Sequence, residues 1–180
     1  LVGEKKYVAY VGTYVHGSSK GLNVYDVDVE NGLLVERNEV EVSNSSYISV
    51  SRNLKYLYSI EDEGVAVFRR DVNGDLERLN SVDIEGMRGC FLSTDYTGKY
   101  LFVGGYHDGK VTMIEILPDG HLGKVLDGVF HRGLGSVAER NFRPHVNCVR
   151  PTRDNKYICA VDNGIDQVKI YRFNEKEKKL

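Results

Sequence analysis

The chain has 180 residues, of which 41% are hydrophobic, and a formal net charge of −2. Its size and hydrophobic content are those of a soluble domain with a sizeable core. The balanced charge argues against binding to nucleic acids or membranes, because both need a concentrated basic surface. No apolar run is long enough to span a bilayer, and no secretory leader is visible.

The three cysteines, Cys90, Cys148 and Cys159, lie inside strand patterns at uneven spacing. An odd number of cysteines within strands is typical of reduced thiols rather than of a disulfide framework. The sequence also lacks the Cys-x-x-Cys and His-x-x-x-His spacings of common zinc sites. We therefore expect a cytoplasmic protein that needs neither a metal nor an organic cofactor.

A phrase of lysine, tyrosine and an apolar residue occurs four times and opens an apolar strand each time. The copies are Lys6-Tyr7-Val8, Lys55-Tyr56-Leu57, Lys99-Tyr100-Leu101 and Lys156-Tyr157-Ile158, and their tyrosines are 49, 44 and 57 residues apart. After the first three copies, a second strand leads into an Asn-Gly or Asp-Gly turn. A strand-built repeat of this period is typical of β-propeller blades, because one small sheet must stack on its neighbours to bury both faces.

Alignment on this phrase predicts one partial, all-β propeller domain over residues 1–180. Its four-stranded antiparallel blades cover about 6–43, 44–86, 87–143 and 144–180. The first blade has no inner strand before Tyr7, and the last stops at Leu180, where its outer strand should begin. Both flanks would expose unpaired backbone and apolar side chains. The chain is therefore expected to be a fragment of a longer ring or a half ring that self-associates through its open blade edges.

The antiparallel order of the strands places the links between blades, and the loops between second and third strands, at one end of the propeller. Four of the five histidines belong to this end: His16, His107, His131 and His145. The turns at the other end are short, polar and alike. Variable loops rich in reactive side chains on a regular scaffold are where sites usually lie.

His145 is the strongest site candidate, because it begins an inner strand and should line the central channel. The insert before it contains Glu139, Arg140 and Arg143. A histidine beside a carboxylate and guanidinium groups can provide acid–base chemistry and anion binding. The alternative interpretation is a capped strand end with a salt-bridged loop.

Three further features of this rim have both a functional and a structural interpretation. Arg88 occupies the position in the third blade that His145 has in the fourth, and is otherwise an exposed loop arginine. His107 lies in a tight glycine-flanked loop, where turn formation alone is the simpler explanation. Asp162 and Asp166 flank Asn163-Gly164, and an Asx-type turn is favoured there over a calcium-like carboxylate pair.

Several of these segments resemble the seven-bladed propeller lactonases, a family that includes propeller-type 6-phosphogluconolactonase and the fungal carboxy-muconate lactonizing enzyme. The similar segments are Tyr10-Val11-Gly12-Thr13-Tyr14, Gly98-Lys99-Tyr100-Leu101-Phe102-Val103, Arg143-Pro144-His145-Val146-Asn147 and Asp162-Asn163-Gly164-Ile165-Asp166-Gln167-Val168. Asn147 and Phe91 stand where family members often have histidine. The resemblance implies a ring of seven blades, of which this chain carries about half.

The resemblance also implies a function, hydrolysis of a sugar lactone of the 6-phosphogluconolactone kind, within the pentose phosphate pathway of carbohydrate metabolism. For this function we expect His145, Glu139 and Arg143 to be catalytic and Arg88, Arg140, His107 and Asn147 to bind the substrate. The alternatives are a lactonizing cycloisomerase of the muconate type and a non-catalytic propeller that binds a protein or a sugar.

Overall fold

The computed structural model describes residues 6–137 and 142–180. In these ranges the chain forms four separate antiparallel sheets. The first sheet contains β1 (Tyr7–Gly12), β2 (Gly21–Asp28) and β3 (Leu33–Glu41), and the second contains β4 (Ile48–Val50), β5 (Tyr56–Ile60), β6 (Gly64–Arg70) and β7 (Leu76–Asp83). The third contains β8 (Phe91–Thr94), β9 (Tyr100–Gly104), β10 (Lys110–Ile116) and β11 (Leu122–Phe130), and the fourth contains β12 (Val146–Pro151), β13 (Tyr157–Asp162) and β14 (Gln167–Arg172).

The strands of each sheet follow one another in chain order, as expected of propeller blades. The all-β fold, and the absence of an inner strand from the first sheet and of an outer strand from the last, are therefore confirmed for the described residues. The inner strands begin one residue later than predicted. At β12 the backbone N–H of His145 is bonded to the Asp162 carboxylate (2.8 Å) instead of to a neighbouring strand. No helix long and apolar enough to cross a membrane occurs in residues 6–137 and 142–180.

The repeated lysine-tyrosine phrase follows a tight turn in which polar side chains accept backbone N–H groups; in the second sheet these are Ser51 and Asn53. In the third sheet the Asp95 carboxylate accepts backbone N–H bonds from Thr97, Lys99 and Tyr100 at 2.9 to 3.0 Å. In the fourth sheet the equivalent position is Thr152, whose hydroxyl accepts the N–H of Tyr157 (3.1 Å), and Asp154 accepts the N–H of Lys156 (3.1 Å). These side-chain oxygens thus satisfy the donors of the turn, and the tyrosine is then the first residue of the next strand.

Within the described residues the core has three apolar layers, each between two consecutive sheets. Strands β5, β6, β9 and β10 are buried on both faces, which explains their nearly continuous apolar sequences. Stacking of one sheet on the next therefore supplies most of the buried apolar surface. It also fixes the position of the loops at the ends of the strands.

The last sheet has an uncovered apolar flank. In the third sheet Val111 and Met113 of β10 are fully buried against the fourth sheet. By strand register, Val168 and Ile170 of β14 occupy the equivalent positions. They are 60% and 66% exposed. Val168 and Ile170 therefore occupy positions that pack against the next sheet in the third blade, but in the described residues no sheet covers them.

Candidate functional site

His145 lies directly before β12 and packs against the third sheet. Its Nδ1 atom is 2.6 Å from the backbone oxygen of Tyr106, and its ring stacks on the Tyr106 ring at 4.2 Å between centroids and 14° between planes. A carbonyl oxygen can only accept a hydrogen bond, so Nδ1 carries a proton and Nε2 holds the lone pair of the neutral ring. His145 is 6% exposed. It is therefore a packed, oriented side chain rather than one that lies freely in an open channel.

Asp162, at the end of β13, holds the backbone around His145. Its Oδ1 atom accepts the N–H groups of His145 (2.8 Å), Gly164 (2.9 Å) and Ile165 (3.3 Å). The turn at 162–165 is thus the Asx-type turn favoured from the sequence. At Gly164 a Cβ atom would lie 2.0 Å from the carbonyl oxygen of Arg143. Glycine is therefore required there, because the loop passes directly against the chain that enters β12.

The other carboxylate oxygen of Asp162 lies 2.7 Å from Nδ1 of His131, and both side chains are fully buried. Burial lowers the pKa of His131 despite this carboxylate, which acts in the opposite direction. The buried Nε2 atom of His131 has no hydrogen-bond partner within the described part of the chain. The ring of Tyr171 stacks 6.0 Å away, and burial raises the pKa of its hydroxyl. His131 and Asp162 are therefore a buried pair directly behind His145.

The insert between β11 and β12 is attached to the same region through Asp166. This carboxylate accepts hydrogen bonds from the backbone N–H and the hydroxyl of Ser136, both at 2.7 Å. Asp166 has a φ of 56°, in the left-handed region. The loop that carries Asp162 thus holds both the insert and the segment that leads to His145.

Arg88 and His107 lie together on a neighbouring part of this rim, where both line a cavity of about 590 Å³. The Arg88 guanidinium is 3.2 Å from Asp62 Oδ1 and 5.0 Å from the centre of the Tyr14 ring. The ring of His107 meets that of Tyr106 edge-on at 5.7 Å. The Gly105–Gly109 loop therefore contacts His145 through Tyr106 and opens onto the Arg88 cavity through His107.

The remaining predicted residues are exposed or lie outside the described part of the chain. Arg143 is exposed, with its guanidinium 5.6 Å from the centre of the Phe142 ring. Asn147 is exposed at a break in the β12–β13 register. Such a bulge redirects the side chain of the unpaired residue. Glu139 and Arg140 lie outside the described residues.

The sequence interpretation gave no role to Tyr106 and did not predict the pairing of His131 with Asp162. Tyr106 sets the tautomer of His145 through its backbone, which no side-chain pattern reveals. The pairing of His131 with Asp162 joins residues 31 positions apart. Two features of the sequence could have pointed to this pair: His131 stands at the start of the insert, and Asp162 begins an Asp-Asn-Gly turn.

These features define a partial β-propeller with an oriented histidine on the rim that also carries Arg88 and the insert. The model of the seven-bladed β-propeller lactonase family matches residues 8–180. The chain belongs to this family.

Named relatives agree with the assignment to the family. The chain is 34% identical over 176 residues to 6-phosphogluconolactonase of Bacillus subtilis strain 168, covering 94% of this chain and 50% of that protein. A crystal structure from Bacteroides fragilis NCTC 9343, provisionally named a 6-phosphogluconolactonase, superimposes with a TM-score of 0.87 at 33% identity and covers 97% of this chain and 50% of that one. The periplasmic gluconolactonase PpgL of Pseudomonas aeruginosa superimposes with a TM-score of 0.89 at 28% identity, over 96% of this chain and 52% of that one. The chain thus spans about half the length of the relatives it matches.

Proposed function

We propose that a protein carrying this chain within a complete ring hydrolyses a sugar lactone, with 6-phosphogluconolactone as the first substrate to test. The observation that carries the proposal is the fixed tautomer of His145. Its Nδ1 proton is held by the Tyr106 carbonyl (2.6 Å), which leaves Nε2 as the basic nitrogen. Membership of the lactonase family and the names of the relatives support the choice of substrate.

In the proposed reaction, His145 Nε2 takes a proton from water while the water oxygen forms a bond to the lactone carbonyl carbon. The carbonyl oxygen becomes an oxyanion, which a guanidinium group stabilises. When the ring C–O bond breaks, the imidazolium returns the proton to the leaving ring oxygen. The product is the open-chain hydroxy acid, and no external oxidant or reductant is required.

We assign the anion-binding part to the arginines of the rim. Arg143 is exposed two residues before His145, and no carboxylate pairs with it in the described ranges. Arg88 is held by Asp62 but borders the cavity shared with His107. Glu139 and Arg140 complete the proposed catalytic and binding set, and Asn147 would contact the substrate beside His145.

The test is a lactone hydrolysis assay on the complete protein, with the uncatalysed rate subtracted. Freshly prepared 6-phosphogluconolactone should be hydrolysed, and glucono-lactone without the phosphate should be a poorer substrate if the arginines bind the anion. Equal rates for the two lactones would overturn the assigned arginine role. Lack of hydrolysis of both would overturn the proposed function, and isomerisation of a muconate would then identify a lactonizing cycloisomerase.

We further propose a cytoplasmic location within the pentose phosphate pathway and, for the isolated chain, self-association through its uncovered flank. The three cysteines are free and partly buried, which supports a reducing compartment. PpgL, to which the chain is similar, is described as periplasmic, so location needs a direct test. Cell fractionation with an antibody to the protein tests this, and recovery in a periplasmic fraction would contradict it.

A further inference from the structure

His131 follows β11 directly and has no part in the reaction described above, yet it contacts both segments that hold His145. Its backbone N–H donates to the carbonyl oxygen of Gly109 (2.8 Å), at the end of the loop whose Tyr106 carbonyl binds the ring of His145. Its Nδ1 atom lies 2.7 Å from Oδ2 of Asp162, and Oδ1 of the same carboxylate accepts the backbone N–H of His145 (2.8 Å). His131 therefore joins the support of the His145 ring to the support of its backbone.

The contact between His131 and Asp162 is a hydrogen bond with a defined direction. A carboxylate only accepts hydrogen bonds, so Nδ1 of His131 carries a proton and donates it to Asp162. Both side chains are fully buried. Burial lowers the pKa of His131 below its ordinary value of 6.5, so the ring is neutral at pH 7.5 and Nε2 holds the lone pair.

Packing alone does not account for a histidine at this position. The buried Nε2 atom has no hydrogen-bond partner within the described part of the chain. An unsatisfied buried acceptor and a buried carboxylate both cost free energy, and apolar side chains of similar volume often cost less. Proteins keep such local conflicts mainly where function fixes the geometry.

Both supports lie directly against the two residues that precede His145. A Cβ atom at Gly109 would lie 2.5 Å from Cβ of Pro144, and one at Gly164, in the Asp162 turn, would lie 2.0 Å from the carbonyl oxygen of Arg143. At such short separations neither support can shift without moving the segment that enters β12. A change in the distance between the two supports would therefore displace His145.

We propose that His131 is a positioning residue for His145, which holds the Tyr106 carbonyl and the Asp162 carboxylate at the separation that keeps His145 in one tautomer and orientation. Without the Nδ1 donor, the two supports could shift relative to each other, and the Nδ1 proton of His145 would lose its fixed acceptor. The catalytic consequence rests on the lactone hydrolysis proposed above, but the tautomer of His145 can be measured without turnover.

The test compares His131→Leu, which removes the donor, with His131→Asn, which keeps an amide N–H near the Nδ1 position. In the complete ring labelled with ¹⁵N, histidine NMR spectra at pH 7.5 report the tautomer of His145, whose signals are those missing from His145→Gln. The parent and His131→Asn should show one tautomer, with the proton on Nδ1, and His131→Leu should show a mixture. With 6-phosphogluconolactone, kcat of His131→Leu should fall about tenfold or more at nearly unchanged KM, because small displacements of a catalytic group lower the rate. His131→Asn should recover most of this loss.

A matched control separates positioning from lost stability. Ile158→Val trims the core between the third and fourth sheets near the start of β13, and should lower the melting temperature but keep the kcat and the His145 tautomer of the parent. If His131→Leu does not fold, His131→Leu/Asp162→Asn replaces it, because this variant has no buried charge but keeps an acceptor for the His145 N–H.

A folded variant without the donor that keeps the parent's kcat and its single His145 tautomer would overturn the positioning role. Equal loss of kcat in His131→Leu and His131→Asn would also overturn it, since the donor would then make no difference. No lactone turnover in the parent would overturn the proposed hydrolysis instead, and the tautomer comparison would still decide whether His131 positions His145.

Discussion

The Nδ1 atom of His145 lies 2.6 Å from the carbonyl oxygen of Tyr106, and the two rings stack 4.2 Å apart. The two residues belong to different blades, so the packing of the third sheet on the fourth decides which nitrogen of His145 can act as a base. Asp162 holds the backbone N–H of the same histidine from the other side (2.8 Å). Asp162 thus fixes the backbone of His145 and Tyr106 fixes its ring. A catalytic base must be held in this way, because small displacements from the substrate lower the rate.

Replacement of His145 by glutamine in the complete protein should lower lactone turnover by about a hundredfold or more, the usual scale of acid–base catalysis. Because His145 is buried and hydrogen-bonded, the melting temperature should also fall by a few degrees. Turnover and thermal melting are measured on the same preparation. His121→Gln, at the opposite end of the propeller, is the control and should retain activity.

Unchanged turnover in His145→Gln would exclude His145 as the general base. Lost turnover together with a collapsed melting transition would instead indicate a structural histidine that ties the insert to the blade. The glutamine variant should therefore be judged only if it melts cooperatively.

Tyr106 provides a second test, because its backbone and its ring act on His145 in different ways. Tyr106→Leu keeps the carbonyl but removes the stacked ring, which is worth about 0.5–1.5 kcal/mol in aromatic pairs. We expect turnover to fall roughly tenfold at most with little change in KM. Tyr106→Phe is the matched control and should behave like the parent, since the hydroxyl makes no hydrogen bond with a described residue. Equal activity of the leucine and phenylalanine variants would show that the stack does not position His145.

The fold could be predicted from the sequence because its signals are local and repeated. The phrase that contains Lys99 and Tyr100 recurs since each copy follows the same kind of turn, in which a side chain such as Asp95 or Asp154 accepts the backbone N–H groups. Short apolar runs bounded by turn residues then suffice to mark the strands.

The site could be predicted only in part, because its contacts join distant segments. The position of His145 followed from the repeat, but its burial did not, since it depends on how the third sheet packs on the fourth. Arg88 was placed on the correct rim, yet its pairing with Asp62 links residues 26 positions apart. The catalytic and binding roles of all seven predicted residues, and the blade boundaries, stay predictions.

The stability of the fold should depend on pH through His131. Burial lowers its pKa in the folded state below the ordinary value of 6.5. The unfolded chain therefore binds a proton at higher pH than the folded chain does, so the contribution of His131 to stability is fully present above pH 6.5 and is lost as pH falls through the folded pKa. Urea unfolding of the full chain at pH 7.5, 6.5 and 5.5 measures this loss.

His131→Asn places an amide donor near the Nδ1 position but cannot titrate, so its stability should fall less between pH 6.5 and 5.5 than that of the parent. His16→Asn, at an exposed position, controls for the removal of one histidine. An identical pH dependence in His131→Asn and the parent would rule out His131 as the source of the effect.

The uncovered flank of the last sheet should make the isolated chain self-associate. Val168 and Ile170 are 60% and 66% exposed, whereas Val111 and Met113, at the same register in the third sheet, are fully buried by a neighbouring sheet. Strand β14 is also an edge strand, with no outer strand beside it among residues 6–137 and 142–180. Sedimentation velocity at increasing concentration should show species larger than the monomer. The double variant Val168→Lys/Ile170→Lys should shift the distribution towards monomer at equal concentration, because two charges would have to be buried for association to continue.

The control variant adds the same two positive charges at positions away from the uncovered flank. Val29→Lys/Val72→Lys places two lysines at exposed turn positions away from this flank and should leave association unchanged. In a complete ring the same substitutions should affect stability rather than association. There Val168→Lys/Ile170→Lys should lower the melting temperature strongly, since a following blade would cover both positions, while Val29→Lys/Val72→Lys should hardly change it. A monomeric parent chain at high concentration would contradict self-association, and an unaffected melting temperature in the complete ring would show that β14 does not pack against a further blade.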